Sequence, residues 1–342
     1  MDTNSVFAVQ VAATKSFGGI ETAVKAYGTL FSEIGIESIC LYRGPGTAML
    51  SDAGLNVIAL PNAMMGLLRV VPGSSWSAVE KIRQKAKDRQ ILFIIHSDRA
   101  LFALRRSFPD AWFIAPCHSD KATNKKKADL AITLNAKQQA LVMNVLAKSH
   151  CRAVQLGNPF KGTGEAAPKG DKLRFVFCAR FTETKNPLAI IKAHAVLDDP
   201  PELVMIGDGP LMDDARNAAG GNVQFLGWRA DPWREITQTD ILVTPSFWEG
   251  LPYMILEALD RRMSVIASDI AGHRAALGDD AYGTLFPLED HDALVAKLTE
   301  AIAKPESLRD KAAAGQKSVP ERFAPTVFWH RLSDELSGIS SK

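Results

Sequence analysis

Short apolar runs rich in β-branched and aromatic residues alternate with segments whose apolar positions recur every three or four residues, almost from end to end of the chain. In the first half the spacing predicts strands at Val6–Ala12, Ser38–Tyr42, Val57–Leu60, Ile91–His96, Trp112–Cys117, Leu130–Leu134 and Ala153–Leu156. Several are apolar throughout, the pattern of parallel strands covered on both faces. Helices are predicted between them, notably over Ile20–Glu33, Ser77–Lys87 and Ala136–Lys148. That order predicts a doubly wound α/β domain over residues 1–158.

The stretch Pro159 to Asp171, with three glycines and two prolines, has no strong period and reads as a linker. The alternation then restarts. Strands are expected at Leu173–Ala179, Leu203–Gly207, Val223–Leu226, Ile241–Thr244, Val265–Ser268 and Thr284–Phe286, with helices such as Asn186–Val196 and Leu251–Arg261. Residues 172–324 thus form a second α/β domain. The amphipathic tail 325–342, with Phe328, Trp329 and Leu332, is a candidate helix that packs back across the junction. A chain of 342 residues exceeds one ordinary core. Two such domains would face each other across a cleft, with chemistry in the loops that follow strands.

Composition narrows the class. With 46% hydrophobic and 23% charged residues the chain is globular, and no run of eighteen apolar residues spans a membrane. Met1-Asp2-Thr3-Asn4-Ser5 lacks the basic and apolar regions of a signal peptide, so a cytoplasmic location is expected. Four scattered cysteines (Cys40, Cys117, Cys151, Cys178) offer neither a zinc motif nor a disulfide framework. The net charge of +2 conceals an asymmetry: residues 1–158 hold 19 Lys and Arg against 11 Asp and Glu, and the remainder 21 against 27. A basic first half suits an anionic partner. Lys121, Lys125, Lys126 and Lys127, with the apolar stretch Met64–Val71, would suit an anionic membrane surface bearing a lipid-linked glycan; a core segment and a solvated lysine face explain them somewhat better. No nucleic-acid partner is expected.

Five loop elements carry candidate chemistry. Gly18 and Gly19 open a helix after the first strand, either as a tight strand-to-helix turn or as a place where free N–H groups meet an anion. A full dinucleotide fingerprint is absent, so no nicotinamide or flavin cofactor is expected. Arg180 and Lys185 flank a helix start at Pro187 and suit a diphosphate. Gly207 and Gly209, then Gly227 and Trp228, stand at strand exits, as turns or as points of close ligand approach. Glu249 and Glu257 stand eight positions apart, the first in a loop and the second two turns into the following helix. An ordinary helix start with an acid at its positive end also explains that pair in isolation.

In this order the motifs FGGIET, CARFTETKN, IGDGP, VQFLGW and EGLPYMILEA resemble the retaining GT-B fold glycosyltransferases of family 4, also called glycosyl transferases group 1. The resemblance covers essentially the whole chain. It implies two Rossmann-like domains facing across a cleft and transfer of a sugar from a nucleoside diphosphate-sugar to a hydroxyl of a glycan or lipid-linked acceptor, as in polysaccharide or lipopolysaccharide synthesis. By the same resemblance, Glu257 would hold the donor ribose and Glu249 hydroxyls of the transferred sugar. Arg180 and Lys185 would neutralise the leaving diphosphate, helped by backbone N–H groups at Gly19 and at Gly250–Leu251. The base would lie near Gly207–Gly209 and Gly227–Trp228. His118, at a strand end, would face the reacting sugar, and His96 would touch acceptor.

The sequence departs from the family pattern at several points. Ala179 replaces a glycine before Arg180, Asn186 replaces one after Lys185, and Ala275 stands where a glutamate is frequent. The helix after Glu257 runs into Arg261-Arg262-Met263-Ser264 in place of Gly-x-Pro. The one D-x-D, Asp290-His291-Asp292, reads as the acidic start of a late helix, and no metal requirement is expected. A sugar-nucleotide epimerase and a non-catalytic sugar-nucleotide-binding protein are the competing functions.

Overall fold

The computed structural model describes residues 2–14, 18–60, 76–120 and 123–339. The chain divides into two compact units: one comprises residues Met1–Lys161 and Phe323–Lys342, the other Gly162–Arg322.

In the first unit, β1 (Val6–Ala13), β2 (Ser38–Arg43), β3 (Val57–Ala59), β4 (Gln90–Ile95), β5 (Trp112–Pro116), β6 (Leu130–Thr133) and β7 (Arg152–Gln155) form one sheet in the order β3-β2-β1-β4-β5-β6-β7. Every pairing is parallel; Val9 lies opposite Ile39 on one side and Phe93 on the other. Helices α1 (Gly19–Glu33), α2 (Thr47–Asp52), α3 (Trp76–Ala86), α4 (Leu101–Ser107) and α5 (Ala136–Leu146) connect the strands. The unbroken apolar runs follow from burial on both faces: Phe7, Val9, Phe93, Phe113 and Leu104 fill one side, and Val6, Ala8, Leu92, Leu30 and Phe31 the other.

The second unit repeats the plan. Strands β8 (Phe175–Cys178), β9 (Leu203–Ile206), β10 (Val223–Gly227), β11 (Ile241–Thr244), β12 (Ser264–Ser268) and β13 (Thr284–Phe286) form a parallel sheet ordered β10-β9-β8-β11-β12-β13. Around it run α6 (Pro187–Ala195), α7 (Met212–Ala218), α8 (Tyr253–Asp260), α9 (Ala271–Leu277), α10 (His291–Ala303) and α11 (Pro305–Phe323). Its core is Phe175, Phe177, Phe181, Met205, Val243 and Leu298.

Residues 159–171 carry no helix or strand, yet from Thr163 onward they are tied to the second unit. The Asp260 carboxylate accepts from Thr163 N (2.7 Å) and Gly164 N (3.1 Å), and Ala167 N donates to Arg261 O (2.9 Å). The tail forms α12 (Pro325–Ser337), which places Phe328, Trp329, Leu332 and Leu336 in the first unit's core. Tyr27 and Phe328 meet edge to face, ring centres 5.4 Å apart, and Arg152 pairs with Glu335 at 2.6 Å. None of the described helices is long and apolar enough to cross a membrane.

Each sheet has one switch point, where the strand order reverses: between β1 and β4, and between β8 and β11. Open α/β sheets take their ligands at the carboxyl edge beside such a point.

Candidate functional site

At the second switch point the loop after β8 carries Arg180 and Lys185, and the loop after β11 carries Glu249. Lys185 Nζ donates to Glu249 Oε1, which also accepts from Ser246 Oγ (3.1 Å). The two loops are joined by backbone as well, Phe247 N donating to Thr184 O at 2.8 Å. Lys185 is held there by a single-residue device. Asn186 has φ 52° and ψ 53°, the left-handed region, which closes the turn Glu183–Lys185 and lets Pro187 begin α6. The departure from glycine at this position is therefore conservative in backbone terms, because asparagine tolerates that region better than other side chains.

Arg180 is exposed and makes no ion pair among the described residues. Its loop is clamped from below by two glycines. A Cβ at Gly207 (φ 131°) would stand 2.0 Å from Ala179 O, and one at Gly209 (φ 156°) 2.5 Å from Phe181 O. Their shape requirement is met by backbone hydrogen bonds, Phe181 N to Asp208 O (2.9 Å) and Gly207 N to Gly227 O (2.9 Å). Gly227 ends β10 and Trp228, 67% exposed, follows it.

Helix α8 begins at Tyr253 after Pro252, two residues later than the sequence suggests. Pro252 takes an extended conformation (φ −74°, ψ 114°), which postpones the first turn. Glu257 is consequently the fifth helical residue, one turn in and not two. Gly250 and Leu251 are buried just ahead of it. The Trp233 indole Nε1–H donates to Glu257 Oε2 at 3.1 Å. Behind the Glu249 loop, Gly272 at the start of α9 lies so close that a Cβ would meet Glu249 O at 2.4 Å. The next residue, His273, is fully buried; its Nδ1–H donates to Ser268 O (2.7 Å), and burial holds its pKa down to about 4. Ser268 Oγ in turn donates to Ser246 O (2.6 Å), so His273 braces the Glu249 loop through one serine.

In the first unit Gly18 caps α1 and Gly19 is its first residue, at the end of the loop after β1. No described atom lies within 4 Å of a Cβ at Gly19. The Glu21 side chain accepts from Gly18 N (2.9 Å), Tyr42 Oη (2.9 Å) and Thr14 Oγ1 and is 2% exposed. Past β4 and β5 stand His96 and His118, ring centres 5.2 Å apart, with His96 Nδ1 2.9 Å from His118 Nε2 and His96 Nε2 3.0 Å from Gln10 Oε1. Because an amide oxygen only accepts, this arrangement sets the tautomers: His96 donates from Nε2 to Gln10, and His118 donates from Nε2 to His96 Nδ1. Burial holds His96 well below the ordinary histidine value and His118 down to about 3, with the Lys125 ammonium adding to both. Both rings are neutral near pH 7.

One expected basic residue is corrected. Lys125 does not face an acceptor or a membrane: it is 4% exposed, and its ammonium donates to Asp98 Oδ1 (2.8 Å) and Pro116 O (3.2 Å). A buried ammonium persists only when paired in this way. Lys126 and Lys127 are exposed; Lys121 and Met64–Val71 lie outside the described residues. Asp290 caps α10, accepting from Ala293 N at 2.8 Å, as expected of an acidic helix start. The thiols of Cys40, Cys151 and Cys178 are pushed up to about 12, and that of Cys117 to about 11, by burial.

Sequence reasoning missed Glu21, Trp233, Ser246 and His273. Glu21 was recoverable, since an acid three residues after a helix cap signals a capping box. The other three carry no local signal, for they act on groups brought to them by the fold.

Two parallel sheets with switch-point loops of this kind define the GT-B fold, and solved structures share it over nearly the whole chain. HepE of Anabaena, solved with UDP and glucose, superposes with a TM-score of 0.77 at 15% identity, covering 96% of this chain and 99% of that one. Sucrose-phosphate synthase from Thermosynechococcus elongatus gives 0.73 at 17% identity, covering 98% and 100%. Residues 164–318 match the family Glycosyl transferases group 1. That match covers most of the second unit, Gly162–Arg322. Among curated relatives, the UDP-Gal:alpha-D-GlcNAc-diphosphoundecaprenol alpha-1,3-galactosyltransferase of Escherichia coli is 30% identical over 138 residues, 37% of this chain and 36% of that protein. An N-acetylgalactosaminyltransferase of Campylobacter jejuni, named for a diphospho-undecaprenol acceptor, is 25% identical over 180 residues, 49% of each. The matched stretch spans about a third of the first relative and half of the second.

Proposed function

We propose that the chain is a retaining, metal-independent glycosyltransferase of hexosyltransferase type. It moves a sugar from a nucleoside diphosphate-sugar to a hydroxyl of a glycan or lipid-linked acceptor in envelope polysaccharide or lipopolysaccharide synthesis. The observation that carries this reading is the Lys185–Glu249 pair at the second switch point, with Arg180 on the same loop as Lys185 and Glu257 one helical turn beyond. Departure of a diphosphate builds negative charge, which Lys185, Arg180 and the backbone N–H groups of Gly250 and Leu251 stabilise electrostatically. Glu249 fixes hydroxyls of the transferred sugar and, by pairing with Lys185, holds that ammonium where the charge develops. Glu257 holds the ribose, and Gly207, Gly209, Gly227 and Trp228 border the base. The leaving phosphate takes the acceptor proton on the face it departs from, which preserves the anomeric configuration. No cofactor is needed.

From the first unit, Gly18 and Gly19 supply backbone donors, and neutral His118 presents Nδ1 as an acceptor for a sugar hydroxyl. His96 holds that ring and borders the acceptor. Two relatives are named for undecaprenol-linked acceptors. A lipid-linked acceptor of that kind brings the chain to the cytoplasmic face of an anionic inner membrane as a peripheral protein, with Lys126 and Lys127 among its exposed cations.

A thermal-shift panel of nucleoside diphosphates and their sugars tests the donor assignment, because a ligand at about 100 times its Kd stabilises the folded state by roughly 2.7 kcal/mol. One nucleotide series is expected to raise the melting temperature, and the matching donor to be hydrolysed slowly without acceptor. Stabilisation without any turnover in the presence of glycan or lipid-linked acceptors would leave a binder, and no stabilisation by any nucleotide would remove the proposal.

A further inference from the structure

Strand β1 carries one buried amide that no motif announces. Val6, Ala8 and Gln10 project to the same face, because successive side chains on a strand alternate. Val6 and Ala8 enter the apolar core together with Leu92 and Ile94 of the neighbouring β4. Gln10 lies opposite Ile94 and is 1% exposed. His96 stands two residues past Ile94, and Tyr27 meets its ring edge to face, centres 5.3 Å apart. An amide buried in such a row costs stability unless it is hydrogen-bonded. Gln10 Oε1 meets His96 Nε2 at 3.0 Å, and His96 Nδ1 meets His118 Nε2 at 2.9 Å, the two ring planes 19° apart.

The order of protons along this line is decided at one end. A neutral imidazole has one N–H and one lone pair, and burial keeps both rings neutral near pH 7. Two orders make the same bond between the rings: Nε2–H on both, or Nδ1–H on both. An amide oxygen only accepts, so Gln10 admits the first order alone. The Lys125 ammonium, paired with Asp98, acts on both rings by its charge and bonds to neither. His118 Nδ1, which has no hydrogen-bond partner among the described residues, therefore holds a lone pair. A lone pair takes a hydroxyl that donates and rejects a carbonyl or phosphate oxygen. An N–H at the same place would accept any of the three.

We propose that Gln10 is the positioning residue of the first unit's site, setting the proton order through His96 so that His118 meets the sugar as an acceptor for one of its free hydroxyls. This inference rests on the reading above that His118 faces a sugar hydroxyl.

Magnetic resonance of the chain labelled with 15N in its histidine rings reads the proton order without any ligand. Long-range 1H–15N spectra near pH 7, with the two rings assigned from His96→Gln and His118→Asn, are expected to show Nε2–H on both in the wild type. Gln10→Met keeps the length of the side chain and deletes the acceptor. The ratio of Nδ1–H to Nε2–H at His118 should then rise about five- to tenfold, the scale of one hydrogen bond. Hydrolysis of the nucleoside diphosphate-sugar that best stabilises the wild-type chain reads the consequence. Gln10→Met is expected to lower kcat/KM about fivefold in the wild-type background and less than twofold in His118→Ala, a coupling that general loss of structure does not produce. Nδ1–H on His118 in the wild type, an unchanged ratio in Gln10→Met, or equal losses in the two backgrounds overturns the role of Gln10. A His118→Ala chain that hydrolyses and transfers like wild type overturns the reading of His118 itself, and this inference with it.

Discussion

At the switch point of the first unit, His96 and His118 lie in hydrogen-bonding line with Gln10, both held neutral by burial. At the switch point of the second, Lys185 and Glu249 form an ion pair between two loops tied together by backbone. The topology is the same and the chemistry opposite. Even Lys125, a buried cation whose charge reaches both histidines, is spent on Asp98 and Pro116 O. A neutral relay can orient hydroxyls without attracting an anion, whereas a cation steadied by one carboxylate can meet charge that appears during a reaction. The two units thus divide the proposed work into acceptor orientation and leaving-group stabilisation.

The strongest way to break this division is to remove the ion pair. Glu249→Ala and Lys185→Ala are each expected to lower transfer about 100- to 1,000-fold with the far-ultraviolet dichroism unchanged, as removal of one electrostatic stabiliser does in other enzymes. Near-normal turnover in either variant takes that residue out of the mechanism. In the same assay His118→Ala should cost less, because a neutral acceptor contributes one ordinary hydrogen bond.

The relay is tested by pH. A histidine whose folded pKa lies below its unfolded value of about 6.5 leaves the folded state with fewer bound protons than the unfolded chain at acid pH. The associated stability is therefore fully present above pH 6.5 and falls as pH drops toward about 3 for His118 and about 4 for His273. The double variant His96→Gln with His118→Asn should flatten the fall in urea midpoint between pH 7 and pH 5, leaving the share due to His273. A slope equal to wild type would mean that the first unit's histidines do not resist protonation.

The smallest expected effect sharpens how Lys185 is held. Asn186→Ala, forced into the left-handed region, should destabilise the second unit by about 1 kcal/mol, and Asn186→Gly by less than that. Thermal unfolding reads both; an alanine variant as stable as the glycine one would show that the turn does not depend on this conformation.

The alternation of strand and helix, the two sheets and the position of nearly every candidate loop were legible in the chain, because apolar runs of strand length and helical periods are local patterns set by burial. Glu249, Lys185 and Arg180 could be singled out for the same reason: each follows a strand, and strand ends are where ligands bind. Local pattern stops short where the neighbour is distant in sequence. Lys125 looks like its exposed neighbours Lys126 and Lys127, and only packing against Asp98 and Pro116 distinguishes it. Trp233 is 24 residues from Glu257, and His273 reaches the Glu249 loop through Ser268. The strand order, which brings β8 beside β11 and β1 beside β4, converts separate loops into two sites of opposite character. Sequence alone determined what each segment is. Tertiary structure decided which side chains are buried, paired or braced, because desolvation and hydrogen bonding depend on neighbours in space.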